Sequence, residues 1–179
     1  MEFNSLRDLY IEQLKDLYDA EHQIIEALPE LIDAANSTSL KQALNSHLEV
    51  TKTQATRIEQ IFGAMGEEPK AEKCKGMKGV IDEGSDLVDD IDENPSLRDA
   101  AIIASAQRVE HYEMAGYGTA RTYAQLLGEN QAAQLLEQTL NEEKEADKEL
   151  TQLASQVNVS AGGAAAGKVV QGAPQRRVA

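Results

Sequence analysis

The stretch LKDLYDAEHQIIEALPEL, Leu14 to Leu31, decides how this chain folds. Leu14, Leu17, Ile24, Leu28 and Leu31 recur at the three-four spacing of one helix face. Glu21 falls in the same register, in the middle of that apolar stripe. A lone carboxylate in a helix core costs several kcal/mol unless it is neutralised or paired. The pattern repeats downstream. Glu113 interrupts Ile102, Ala106, Val109, Gly116 and Ala120, whose small members leave room beside the helix. Glu143 interrupts Leu136, Thr139, Ala146, Leu150 and Leu153. Glu110 lies three residues before Glu113, adjacent on its face, and Asp147 lies one turn after Glu143. Several acids converging on one core make sense around a cation, and oxygen-rich sites suit hard or borderline metals. Glu21, Glu110, Glu113, Glu143 and Asp147 are therefore candidate metal ligands. Glu142 and Glu145 lie off the seam and are expected in solvent.

Around that stretch four long helices are readable. The first runs from about Ser5 to Ala35, with Pro29 expected to bend or loosen its last turns. The second runs from about Ser39 to Met65 and stops near Gly66. A third begins at Asn94-Pro95-Ser96, a cap-plus-proline start, and ends at Gly128. The last starts near Asn130 and fades by about Gln156. The links Asn36-Ser37-Thr38 and Gly128-Glu129 are short enough to make antiparallel neighbours. The link from Gly66 to Asn94 is too long for a plain turn. It carries an apolar stripe of Met77, Val80, Ile81, Leu87, Val88 and Ile91, which predicts a short fifth helix. Two helical hairpins joined by one long crossover is the connectivity of ferritin-like bundles. The expected fold is all-α: a ferritin-like four-helix bundle over residues 1–157 with a short crossover helix. A flexible Ala/Gly-rich tail is expected over 158–179.

Composition narrows the function. Seventeen Lys and Arg against 31 Asp and Glu give a net charge of -14. That argues against nucleic acid or an anionic membrane as partner and favours approach of cations. Cys74 is the single cysteine, so no internal disulfide forms and a reducing compartment is the simpler reading. The opening residues carry no basic-then-apolar leader, and no apolar run of about 18 residues exists, so neither a secretory signal nor a transmembrane helix is expected. No P-loop, dinucleotide fingerprint, nucleophile elbow or paired-cysteine motif appears.

The second helix is the weak leg of the constellation. Glu49 lies almost opposite the Leu44–Ile58 stripe and should face water, leaving His47, Thr51 and Gln54 as the polar residues of the apolar face. His47 either binds metal through its neutral imidazole or is a core histidine bonded to a neighbour. His22 and His111 point about 100° away from the acids they adjoin and should meet solvent or an interface. Tyr10, Tyr18, Tyr117 and Tyr123 read as core aromatics with bonded hydroxyls. Cys74, between Lys73 and Lys75, reads as a buried, inert thiol.

Tyr18-Asp19-Ala20-Glu21, His47-Leu48-Glu49, Val109-Glu110-His111-Tyr112-Glu113 with Tyr117-Gly118, and Thr139 to Lys144 continuing to Asp147 make the chain familiar. Over roughly residues 5–155 it resembles the YciE/YciF family of bacterial stress proteins. The resemblance implies a homodimer, cytoplasmic residence, a link to stress and a dinuclear metal centre like that of rubrerythrins, with iron and an oxidase or peroxidase activity. This chain departs from the pattern at Val50, where such proteins carry a second Glu, and at Ala146, where a rubrerythrin-like helix places a histidine. A mononuclear or degenerate site, or another divalent metal, is then in play. The competing reading is a metal-free dimeric structural or interaction protein. There, shared protons or inward-reaching Arg and Lys neutralise the core acids.

Overall fold

The computed structural model describes residues 3–162, which form five helices and no strand. They are α1 (Leu6–Ala34), α2 (Thr38–Met65), α3 (Lys75–Asp89), α4 (Pro95–Leu126) and α5 (Asn130–Ala161). Local chemistry starts four of them. The side chains of Ser5, Ser37, Cys74 and Asn94 accept from the N–H three residues on, which satisfies a donor the helix itself cannot. Pro95 then occupies the first turn of α4, where its missing N–H costs nothing. α2 stops at Gly66, whose φ of 71° only glycine adopts without strain. Gly128, at φ 79°, makes the tight turn from α4 to α5.

Pro29 does not end α1, which runs on to Ala34 because Leu28, Leu31 and Ile32 are packed into the core on either side of it. α5 extends past the expected end at Gln156, since buried Val157 carries its apolar stripe another turn. The tail expected over 158–179 lies, from residue 163 onward, outside the described residues. In α3, Met77 and Val88 are buried, but Leu87 of the expected stripe is 41% exposed.

Contacts fix the direction of each helix. The Arg7 side chain at the start of α1 meets Glu129 just beyond α4. At the other end of α1, the N–H groups of Asn36 and Ser37 both donate to Asp99 at the start of α4. α1 and α4 are therefore antiparallel. Arg121 pairs with Glu137 near the α4–α5 turn, and Gln107 reaches Asp147 and Thr151 further away, so α4 and α5 are antiparallel too. Tyr18 bonding Glu59 sets the same relation for α1 and α2. α2 and α4 consequently run in the same direction, and the segment between them must travel back along the molecule. α3 does part of that return, packed on α4 and α1. At Gly84 it comes so close that an added Cβ would sit 2.9 Å from the Cβ of Ser105.

The buried side chains fall into two apolar clusters. One holds Ile24, Leu28, Leu44, Ile102 and Leu150; the other holds Leu14, Leu17, Ile58, Phe62 and Leu136. Between them lies a polar layer.

Candidate metal centre

That layer contains four glutamates from three helices. Glu21 on α1, Glu110 and Glu113 on α4, and Glu143 on α5 are each no more than 2% exposed. Each is placed there by the apolar residues three or four positions away on its own helix. α2 adds His47, whose Nε2 lies 3.5 Å from Glu110 Oε1. One ligand atom from each of His47, Glu110, Glu113 and Glu143 lies within 4.8 Å of all the others. Glu21 adjoins this group, with its Oε1 accepting from the Tyr117 hydroxyl. Asp147 lies at the edge of the bundle, accepting from Gln107 at 2.9 Å and standing 3.4 Å from the exposed ring of His111.

Protein groups satisfy this layer only in part. Gln54 on α2 donates to Glu143. Arg57, the nearest candidate for an inward-reaching cation, is spent on Glu142, which it grips through both guanidinium nitrogens. Glu142 is thus half-buried and paired, where solvent was expected. Glu49 and Glu145 do face water, beside Lys52 and Lys148. Five buried carboxylate oxygens have no hydrogen-bond partner: one each on Glu21, Glu110 and Glu143 and both on Glu113. His47 Nε2 has none either.

The electrostatic consequence is direct. Burial, and then the charge of Glu143, pushes the Glu21 and Glu113 carboxyls well above the usual range. Burial and a shared hydrogen bond with Glu143 do the same to Glu110. Burial pushes His47 the other way, toward neutral imidazole, the form that binds metal. Four ionised carboxylates here would each cost several kcal/mol, against a net stability of only about 5–15 kcal/mol for a domain. The layer must be neutralised, by protons or by a cation. Three carboxylates and one neutral imidazole at this spacing are a donor set suited to a divalent transition metal. Val50 and Ala146 bring no further ligand.

Some partners were hidden from the sequence. Tyr117, read as a core aromatic, holds Glu21, and Tyr10 is buried with its hydroxyl unpartnered. Tyr112 joins Asp16 on α1 to Cys74 through its hydroxyl. Cys74 is buried, and its burial pushes the thiol up, away from reactivity. His22 and His111 are exposed, as their register requires.

A family model described as a domain of unknown function, DUF892, matches residues 5–161. Protein YciF of Escherichia coli K12 is 43% identical over 155 residues, 86% of this chain and 93% of its own. The crystal structure of the E. coli stress protein YciF superposes with a TM-score of 0.83 at 42% identity, over 87% of this chain and 98% of that one. YcfI of Rhodopseudomonas palustris, described as a candidate structural protein, gives 0.82 at 40% identity over 84% and 95%. A Xanthomonas campestris protein of 18% identity shares the fold at a TM-score of 0.70, over 87% and 95%. Among the described residues no helix is long and apolar enough to cross a membrane.

Proposed function

The chain belongs to the DUF892 family, and we propose that it is a ferritin-like, metal-binding stress-response protein. The reading rests on one observation above others: His47, Glu110, Glu113 and Glu143 bring four ligand atoms within 4.8 Å in a layer where five carboxylate oxygens lack hydrogen-bond partners. The helix directions support the ferritin-like reading, since two antiparallel hairpins joined by one long crossover is that connectivity. Ferritin-like dinuclear sites use a Glu from each of two helices and a Glu-x-x-His from each of the others. Here Glu21 and Glu113 match the single glutamates. Glu143 is followed three residues on by Ala146, and α2 offers His47 without a carboxylate. The donor set therefore suits one ion better than two, with iron the metal that the family resemblance favours.

A bound iron would supply redox chemistry toward oxygen or peroxide. The chain's own residues would do the rest. Gln54 and Tyr117 orient Glu143 and Glu21, and the apolar clusters pack on either side of the layer. Asp147 stands ready only as an outer carboxylate, through Gln107 and His111. We place the protein in the cytoplasm, as a homodimer.

Metal analysis tests this reading. Protein purified without chelator should carry about one iron or manganese per chain, and Glu113→Gln should carry clearly less. Equal content in the two, measured side by side, removes Glu113 from the site. The description of YcfI favours a second reading, a structural protein; the acid layer would then be protonated and metal-free. Absence of metal from both proteins after growth in iron- and manganese-supplemented medium would select it.

A further inference from the structure

The apolar clusters pack on either side of the acid layer along the bundle, a poor path for a hydrated ion. A half-open cleft of about 530 Å³ reaches the layer from the flank instead. Ile24, Leu28, Ile81 and Val109 form part of its wall, and it meets the layer at His47 and Glu110. A smaller cleft around Asn130 and Leu135 touches none of the layer's ligands. Among the four grouped ligands, His47 is the one not fully buried. Its side chain is 12% exposed, against 3% for Glu110. His47 Nε2 and one oxygen of Glu110 lack a hydrogen-bond partner. An ion arriving through the cleft would meet His47 first.

Charge marks the outer border of the cleft. On α5 that border carries Glu142, Glu145, Lys148 and Glu149. Glu142 is matched by Arg57, and Glu145 by Lys148. Glu149 is exposed and has no ion-pair partner among the described residues. Its charge is felt at the ligand. Burial pushes His47 toward neutral imidazole, and the charges of Glu143 and then Glu149 oppose that. A cleft bordered by uncompensated charge of one sign concentrates the opposite ion and speeds its association.

We propose that a divalent cation enters the acid layer through this cleft, drawn by Glu149 at its border and received first by His47. Glu149 is then a steering residue and not a ligand, since it lies outside the four-atom group. The route rests on the metal reading of the same site.

Cobalt(II), whose visible absorption reports its binding, tests the route in the full-length protein stripped of metal with chelator. Stopped-flow mixing reads uptake, and a chelator chase reads release. Glu149→Gln should slow uptake roughly threefold to tenfold at low salt, with release no faster than in the wild type and the same cobalt content at saturation. Added salt should narrow the gap between the two proteins. Glu68→Gln removes the same charge from the exposed segment after α2 and should leave uptake unchanged. Ala146→Leu, which narrows the cleft, should slow uptake further. Equal uptake in wild type and Glu149→Gln would overturn the proposal. So would an equal loss in Glu68→Gln, which would make the effect one of net charge. Faster release with unchanged uptake would make Glu149 a ligand and overturn it too. Undiminished uptake in Ala146→Leu would put the entry elsewhere. Glu149 is exposed on a helix, and glutamine is a good helix former, so the decisive variant folds even if Ala146→Leu does not. No cobalt binding by the wild type would end the metal reading itself. Normal binding with unaltered rates would end the route alone, which separates the two failures.

Discussion

Glu113 lies buried in the acid layer with neither carboxylate oxygen hydrogen-bonded. In the metal-free protein Glu21, Glu110 and Glu113 hold protons to higher pH than in the unfolded chain, where glutamate titrates near 4.3. The folded state then binds more protons, so stability is fullest at low pH and falls as pH rises through the raised values. His47 acts oppositely, because its lowered folded value favours unfolding only below its ordinary value of about 6.5. The acids therefore speak alone above that point. Melting temperature of chelator-treated protein should fall as pH rises above about 6.5, by calorimetry or circular dichroism. Glu113→Gln should flatten that slope and stabilise the metal-free protein by roughly 1–3 kcal/mol at the higher pH. A profile that rises with pH would mean the acids are ionised and paired. Val50→Glu, one turn after His47 on α2, should raise metal content if α2 is what limits the site. The burial of Glu21, Glu113 and Glu143 was legible because a carboxylate on an apolar seam breaks a 3.6-residue period. Gln54 holding Glu143, and Arg57 taking Glu142, were not. Which polar residues meet across helices depends on rotation and register that periodicity along one helix does not contain.

Between elements, the most specific joint is Asp99. Its carboxylate accepts from Asn36 at 2.6 Å and Ser37 at 2.9 Å, so α4 supplies an anion to the N-terminus of α2, where free N–H groups and the helix dipole both favour one. Asp99→Ala should cost roughly 0.5–2 kcal/mol, because two backbone donors at the part-buried start of α2 lose their acceptor. Urea unfolding should show a lower midpoint with an unchanged slope; no change would mean that water replaces the carboxylate at no cost. The start of α4 was readable, because Asn94-Pro95 reads as a cap followed by proline; α2 starts at Thr38 behind the cap Ser37, a residue before the expected Ser39. Ends were less so. α5 continues past Gln156 because Val157 finds a buried place, which is a property of the neighbours it meets. Leu87 belonged to the α3 stripe by spacing, yet α3 covers the bundle with a narrower face than six apolar residues suggested.

For the molecule as a whole, Leu9, Leu87, Leu97 and Leu126 remain exposed, and a homodimer would cover part of that surface. Light scattering at tens of micromolar should give twice 19.5 kDa; a monomer mass would end that expectation. Iron or manganese should raise the melting temperature in a concentration-dependent way, because binding favours the folded state alone. The crossover has a consequence of another kind. Glu21 and His47 lie before the exposed, non-helical segment 67–73, and Glu110, Glu113 and Glu143 lie after it. Each hairpin thus carries an incomplete share of the donors. If a protease cut that segment, the two halves would be separate peptides, and under the proposed metal binding an ion would draw them together. Reassembly of the nicked protein would then be stronger with metal than with chelator.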